Sequence, residues 1–132
     1  MIYGIGVDVL EVRRIEDLYV RYGARLAARM LMPEERRQFD LAKRPVRFLA
    51  MRFAAKEAIV KALGTGFANG VWIRDVGAVQ NALGKPEVVY SQRGEALRHK
   101  LGVGDGHVTL TDEAGLIVAV AVLERSRRRR RA

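Results

Sequence analysis

The sequence contains no cysteine, so it offers neither a disulfide framework nor a thiolate metal site. It also lacks any apolar run near the roughly 20 residues that a membrane-spanning helix needs. No basic segment precedes an apolar stretch at the N-terminus, as a signal peptide requires. We therefore expect a soluble, cytoplasmic protein. Its 132 residues, 49% of them hydrophobic, are enough for one domain with its own core.

The net charge of +9 is unevenly distributed, because six of the last eight residues are arginines. Removing those six from the 24 lysines and arginines leaves 18 against 15 acidic residues, a net charge of about +3. Such a run is typical of a disordered, solvated end, and it could also bind nucleic acid or another anionic surface. No aromatic residues accompany it to stack on bases. We predict one domain over residues 1–124 and an arginine-rich tail over residues 125–132.

The first part of the chain predicts one strand followed by helices. Ile2–Val9 is a short apolar run, and we expect the strand to end at Asp8. Helical spacing of apolar residues follows from Glu11 to about Arg29, and Gly23 is expected to divide that stretch. Pro33, with two glutamates directly after it, is typical of the first turn of another helix.

A long helix is predicted from Val46 to Leu63. Pro45 favours a boundary before it, and the glycines of Gly64-Thr65-Gly66 favour its end. The later sequence is strand-rich, so we predict an α+β domain in which a long central helix packs on an antiparallel sheet. The later elements predicted are a strand with Val71, Ile73 and Val76, a strand Glu87–Tyr90, a helix from the Ser91 cap to Leu101, and a hairpin of His107–Thr111 and Leu116–Leu123 around Asp112–Gly115.

Four charged residues lie in the largely apolar long helix. Arg52 and Lys56 fall in the middle of its apolar face, and Glu57 and Lys61 lie about 100° further round. Burying bare charges costs several kcal/mol each, roughly, so these residues must pair or point into a site. Two ordinary surface salt bridges, one of them between Glu57 and Lys61, remain an alternative.

Asp8 lies on the same strand face as two glycines, where little side-chain bulk crowds it. Mg²⁺ commonly takes one or two carboxylates and fills its other positions with water and phosphate oxygens. Asp8 is therefore a candidate Mg²⁺ ligand, and a second carboxylate could complete the protein's share of such a site. Asp8 could instead cap the following helix or pair with Arg13 or Arg14.

Two further features are open to interpretation. The backbone N–H groups of Gly64, Thr65 and Gly66 could bind phosphate, although a glycine cap at the helix C-terminus is the simpler interpretation. His107 opens a strand, and no serine or cysteine nucleophile pattern accompanies it.

Several segments together resemble holo-acyl-carrier-protein synthases. The segment Ile5-Gly6-Val7-Asp8-Val9, with Glu11 and Arg13-Arg14-Ile15 after it, resembles the first motif of that family. The segment Arg52–Ala58, with its continuation Lys61–Gly66, resembles the second motif of the family almost residue for residue. Gly84-Lys85-Pro86 and His107–Thr111 also fall where the family has matching segments. The resemblance spans nearly the whole chain.

The resemblance implies transfer of 4′-phosphopantetheine from coenzyme A to a serine of an apo acyl carrier protein, in support of fatty acid biosynthesis. Asp8 and Glu57 would hold Mg²⁺ against the pyrophosphate, and Lys61 would stabilise charge on it. Glu57 could also accept the serine proton, directly or through water. By the same resemblance Arg52 and His107 would contact the 3′-phosphate of the nucleotide, and Gly64, Thr65 and Gly66 would lie near the adenosine.

The resemblance further implies a homotrimer with active sites between subunits and an acidic carrier protein as partner. Arg13, Arg14 and Arg21 lie on the early helices and are candidates to bind that partner. One departure is notable: Asp112 stands where the family usually has a second histidine. A non-enzymatic protein that uses the arginine tail on nucleic acid is the alternative function.

Overall fold

The computed structural model describes residues 1–127. It contains five helices and five strands in this region, so the predicted α+β class is confirmed. In chain order the elements are β1 (Ile2–Glu11), α1 (Val12–Tyr22), α2 (Ala24–Met30), α3 (Pro33–Asp40), α4 (Pro45–Leu63), β2 (Val76–Gln80), β3 (Pro86–Tyr90), α5 (Gln92–Leu101), β4 (Val103–Glu113) and β5 (Leu116–Arg125).

The strands form two antiparallel sheets. The larger sheet has the order β1-β5-β4, and the smaller one pairs β2 with β3. Helix α4 packs on one face of the larger sheet, as predicted, and its buried leucine, isoleucine and alanines form the core with inward-facing residues of β1 and β5. Gly4 and Gly6 of β1 lie directly against the backbone carbonyls of Ala62 and Ala58. Any side chain there would push the strand off the helix.

Strand β1 is longer than the sequence indicated. We expected it to end at Asp8, but it continues to Glu11, which is opposite Leu116 on β5. The N–H of Val12 then bonds to the carbonyl oxygen of Gly115 at 2.9 Å, so pairing with β5 delays the start of the helix. Asp8 therefore lies inside the paired strand rather than at its end.

The predicted helix boundaries are largely confirmed. Gly23 separates α1 from α2 with a φ of 55°, and Pro33 opens α3. Helix α4 begins at Pro45 and ends at Gly64, which has a left-handed φ of 82°. Ser91 caps α5 by accepting the N–H of Gly94 at 3.0 Å.

The predicted strand through Val71 and Ile73 is wrong. Residues 71–75 contain no strand: Ile73 and Arg74 form a turn, and β2 begins only at Val76. The carboxylate of Asp75 accepts a hydrogen bond from the N–H of Trp72 at 2.9 Å, and Lys56 of α4 donates one to the carbonyl oxygen of Ile73. Side chains thus occupy the backbone groups that a strand would give to a neighbour.

The C-terminal hairpin is longer than predicted. Asp112 and Glu113 belong to β4, and only Ala114-Gly115 forms the turn, with positive φ at both residues. Arg125, which we assigned to the tail, lies in β5 and donates its N–H to the carbonyl oxygen of Met1 at 2.8 Å. The rest of the predicted tail, from residue 128, lies outside the described residues.

Two surface properties complete the description. Among residues 1–127 no helix is long and apolar enough to cross a membrane. The face of the larger sheet opposite α4 carries an apolar strip made of Ile5, Val7 and Val9 on β1, which are 49–59% exposed, and Val118, Val120 and Val122 on β5, which are partly buried. We call these six residues the outer apolar strip.

Candidate active site

Asp8 points toward α4, on the strand face that the glycines leave uncrowded, as predicted. Its side chain is 14% exposed, and its Oδ1 lies 3.2 Å from Nζ of Lys61. The same Nζ donates to the carbonyl oxygen of Val7 at 3.0 Å. The N-terminus of α1 has no side-chain cap, so the alternative of Asp8 as a helix cap is wrong. In the described chain Asp8 pairs with Lys61 rather than with Arg13 or Arg14.

Glu57 lies one turn before Lys61 on α4 and belongs to the same cluster. Its partial burial and the negative charge of Asp8 raise its pKa, while the positive charges of Lys61 and Arg14 oppose that shift. The alternative of a surface salt bridge between Glu57 and Lys61 is wrong, because Lys61 pairs with Asp8 instead. Two carboxylates and one lysine therefore lie together in one partly enclosed place, and the charge of Asp8 disfavours ionisation of Glu57.

This cluster fits a divalent cation. A cation between Asp8 and Glu57 would remove the repulsion that raises the pKa of Glu57. No group of three or more histidine, aspartate or glutamate side chains suited to a metal occurs in residues 1–127. A two-carboxylate site suits Mg²⁺, which takes water and phosphate oxygens in its remaining positions.

The four charged residues of α4 divide into two pairs with different surroundings. Lys56 is fully buried, and its Nζ lies 2.5 Å from Oε1 of Glu35, 2.9 Å from the carbonyl oxygen of Ile73 and 2.7 Å from that of Val76. Burial lowers the pKa of Lys56, and Glu35 opposes this shift. Lys56 thus holds α3, α4 and the start of β2 together and does not enter the cluster around Asp8.

Arg52 is 3% exposed and is less well paired than Lys56. Its guanidinium lies 4.4 Å from the ring centre of Phe48 and contacts Oε1 of Gln38 at 3.4 Å, and its Nε has no partner in the described residues. Burial lowers the pKa of Arg52, as expected for a cation short of hydrogen-bond partners. It lines a cavity of about 210 Å³ together with three further basic residues, Lys43, Arg44 and Arg47.

His107 lies on the other side of the larger sheet from Arg52. Val108 is buried against Ala55 of α4, so the adjacent His107 points to the opposite face, where it is exposed. Its Nε2 is 3.0 Å from Oε2 of Glu124, and it borders a cavity of about 460 Å³. Within one protomer the structure does not bring Arg52 and His107 together.

The loop of Gly64, Thr65 and Gly66 acts as a helix cap. All three N–H groups point to the carbonyl oxygen of Val60, at 3.1–3.2 Å. They are therefore engaged, which favours the capping interpretation over a phosphate loop. A position of the loop near an adenosine remains a prediction.

The predicted partner-binding residues lie on the exposed side of α1. Arg13, Arg14 and Arg21 are all exposed, and Arg14 is close enough to Glu57 to oppose the rise in its pKa. Asp112, where the family usually has histidine, accepts a hydrogen bond from Nε of Arg47 at 2.6 Å, and this bond lowers its pKa. A carboxylate at position 112 thus has a specific partner at the start of α4.

Sequence reasoning missed two residues that pair with charged side chains discussed above. Glu35 neutralises Lys56, and its carboxylate also accepts the N–H groups of Met32 at 2.9 Å and Ala78 at 3.1 Å. Arg47 holds Asp112. The only signal for Glu35 was its place in the first turn after Pro33, which indicates a helix start rather than a buried ion pair.

The chain was compared with known proteins. The family model described as the 4′-phosphopantetheinyl transferase superfamily matches residues 4–121. A holo-[acyl-carrier-protein] synthase of Photorhabdus laumondii is 46% identical over 124 residues, which cover 94% of this chain and 98% of the relative.

Solved structures agree with the sequence match. The crystal structure of a holo-[acyl-carrier-protein] synthase from Neisseria meningitidis is 41% identical and aligns with a TM-score of 0.89 over 95% of this chain and all of the other. The synthase from Bacillus anthracis in complex with CoA (3′,5′-ADP) is 33% identical, with a TM-score of 0.77 over 96% of this chain and 99% of the other. The alternative of a nucleic-acid-binding protein gains no support from these comparisons.

Proposed function

Because this chain belongs to the 4′-phosphopantetheinyl transferase superfamily, we propose that it transfers 4′-phosphopantetheine from coenzyme A to a serine of an apo acyl carrier protein. Adenosine 3′,5′-bisphosphate is the other product, and the holo-carrier serves fatty acid biosynthesis in the cytoplasm. The observation that carries the proposal is the cluster of Asp8, Glu57 and Lys61, assembled from two elements in a chain that matches synthases over nearly its whole length.

The residues of the cluster have distinct roles in this transfer. The serine oxygen forms a bond to the phosphorus that carries pantetheine, and the bond from that phosphorus to the bridging oxygen breaks. Glu57, whose raised pKa suits a proton acceptor, takes the serine proton directly or through a water. Lys61 stabilises the negative charge that develops on the leaving phosphate.

Asp8 and Glu57 would also hold Mg²⁺. When bound, this ion would supply charge neutralisation and in-line orientation of the pyrophosphate. Lys61, whose Nζ lies 3.2 Å from Oδ1 of Asp8, would stabilise negative charge on the pyrophosphate beside that site.

The direct test incubates the protein with coenzyme A and several purified apo carrier proteins and follows carrier mass, with and without Mg²⁺. We expect a carrier mass increase of one phosphopantetheine that requires Mg²⁺. If no carrier gains mass under any condition, the proposed function is wrong.

Binding of Mg²⁺ should depend on pH through Glu57. Its raised pKa means that the carboxyl holds its proton to higher pH than an ordinary glutamate, and the proton competes with the metal. Calorimetry of the protein alone should therefore show Mg²⁺ affinity rising with pH across that pKa. Lys61→Met removes a positive charge that lowers the pKa of Glu57, so the increase in Mg²⁺ affinity should occur at higher pH in this variant. A pH-independent affinity would contradict the assignment of Glu57 as a ligand.

We also propose that the protein is a homotrimer with active sites between subunits. The outer apolar strip supports an association of copies, since exposed apolar side chains on a paired sheet gain free energy when covered. The positions of Arg52 and His107 also support it, because within one protomer the two side chains lie on opposite sides of the larger sheet. Residues from two subunits could contact the 3′-phosphate.

Light scattering should give the mass of three chains. Val7→Lys places a charge in the outer apolar strip and should yield monomers with little activity, whereas Val20→Lys, at a position 83% exposed on α1, should remain trimeric. A wild-type protein that is monomeric at assay concentration would contradict the proposal.

A further inference from the structure

Trp72 is the only tryptophan of the chain, and its side chain lies largely in water. It is 65% exposed in the turn that precedes β2. Tryptophan usually buries most of its surface, so an exposed one on an ordered turn is a candidate contact for a partner. None of the roles assigned above to the active site uses this residue.

The turn holds Trp72 rigidly. The backbone N–H of Trp72 donates to Oδ2 of Asp75 at 2.9 Å, and the N–H of Asp75 donates back to the carbonyl oxygen of Trp72 at 2.9 Å. Arg93 lies 5.7 Å from the indole centre, and its Nη2 donates to the carbonyl oxygen of Gly70 at 2.7 Å. The backbone at Trp72 is thus fixed by its own turn, so a partner that covers the indole need not order this segment.

The surroundings of Trp72 are basic. It lines a groove of about 660 Å³ with Arg29, Arg74 and Arg93, which are all exposed. The acidic residue of the groove, Asp75, is 7% exposed and already accepts hydrogen bonds from the Ser91 hydroxyl at 2.7 Å and from Trp72. Arg93 also lies 3.5 Å from Oδ2 of Asp75, so this one carboxylate is offset by Arg93, and Arg29 and Arg74 leave the groove with a net positive charge. We call Trp72 and the three arginines the Trp72 surface.

The Trp72 surface continues the basic side of the early helices. Arg29 also borders a second hollow, on α1 and α2, together with Tyr22, Arg25 and Leu26. Tyr22 directly follows Arg21, which is a candidate partner-binding residue. Arginines and partly apolar side chains thus extend from α1 over α2 to Trp72.

We propose that the Trp72 surface is a second docking element for the acidic carrier protein, in addition to the arginines of α1. The arginines would pair with carboxylates of the carrier, and the indole would cover apolar side chains beside them. Aromatic and arginine side chains are the residues that contribute most to such interfaces. This inference rests on the proposed function, because the carrier is the acidic partner which that function requires.

Steady-state kinetics with carrier varied and coenzyme A saturating provide the first test. Trp72→Ala and Arg93→Ala should each raise the KM for carrier about tenfold and leave the KM for coenzyme A within about twofold. Control variants are Leu83→Ala, at a position 94% exposed in the connection between β2 and β3, and Lys100→Ala, an exposed cation on α5. The two control variants should leave the KM for carrier and the KM for coenzyme A unchanged. An unchanged KM for carrier in Trp72→Ala would overturn the inference while leaving the transferase function intact.

The fluorescence of Trp72 provides a second test that does not depend on turnover. Since the chain has one tryptophan, its emission reports on Trp72 alone. Adding an apo carrier that has no tryptophan should shift the emission of Trp72 to shorter wavelength as the indole leaves water. Coenzyme A alone should not cause the shift, and high salt should weaken it. A shift with a single-stranded oligonucleotide but none with carrier would assign the surface to nucleic acid. A shift with protein concentration alone would assign it to self-association. Either result overturns the inference.

Discussion

Transfer activity should fall at least about 100-fold in Asp8→Asn and in Glu57→Gln. Each substitution keeps the shape of the side chain and removes one negatively charged metal ligand. Asp8 is mostly buried and Glu57 partly so, and a neutral amide there is a poor ligand for Mg²⁺. The measurement is kcat/KM for carrier modification as a function of Mg²⁺ concentration.

The double variant separates a shared site from two independent roles. If both carboxylates hold one ion, losing the second should cost little more than losing the first, because the unit is already broken. If they act independently, the two losses should multiply. Glu16→Gln, at an exposed position on α1, removes the same charge without touching the cluster and should retain full activity. Full activity in either single variant would contradict the metal assignment.

A fluorescence melt of these variants distinguishes a lost site from a lost fold. Replacing either carboxylate by an amide removes the repulsion between Asp8 and Glu57, although Asp8→Asn also weakens the contact with Lys61. The two effects oppose each other, so the unfolding midpoint should change little. A large drop in the midpoint would mean that lost activity reports instability rather than chemistry.

The sequence predicted best what depends on neighbours along the chain. Helix α4 was recognisable because Pro45 precedes it, Gly64 ends it and apolar residues repeat at helical spacing between them. The strand face that Asp8 shares with Gly4 and Gly6 also followed from the alternation of residues in β1, whereas the packing of that face on α4 comes from the structure. The assignment of Asp8 and Glu57 to one metal site, by contrast, came from the family resemblance. Spacing alone left Asp8 a possible helix cap and Glu57 a possible surface pair.

The parts that escaped prediction depend on residues far apart in the chain. Lys61 pairs with Asp8 rather than with Glu57 because β1 packs across α4, which no periodicity reveals. The segment from Val71 to Asp75 contains β-favouring residues, yet Lys56 and Asp75 take its backbone groups and bend it into turns. The length of the final hairpin was set by the positive φ values of Ala114 and Gly115, which made a two-residue turn possible.

Loss of the buried ion pair of Lys56 and Glu35 should destabilise the protein severely. Lys56→Met removes one fully buried charge and leaves Glu35 without its partner, which typically costs about 3–5 kcal/mol. Because the free energy of unfolding of a native domain is only about 5–15 kcal/mol, the variant should lose a large fraction of its stability. Urea unfolding followed by circular dichroism measures this difference directly.

Removing both charges should not restore stability. In Glu35→Leu/Lys56→Met the N–H groups of Met32 and Ala78 and the carbonyl oxygens of Ile73 and Val76 all lose their partners. Each unsatisfied buried group costs about 1–3 kcal/mol. The carboxylate of Glu35 also fits a gap that only glycine leaves, since a Cβ on Gly77 would lie 2.6 Å from it.

The pair of Arg47 and Asp112 is the matched control, because it too joins α4 to another element but is 38% exposed at both side chains. Water already screens these charges, and Arg47→Gln should leave the unfolding free energy nearly unchanged. If Lys56→Met proved as mild as Arg47→Gln, Lys56 would not be the tie between α3, α4 and β2. A strong loss in the first variant alone would show that this tie depends on burial rather than on charge pairing itself.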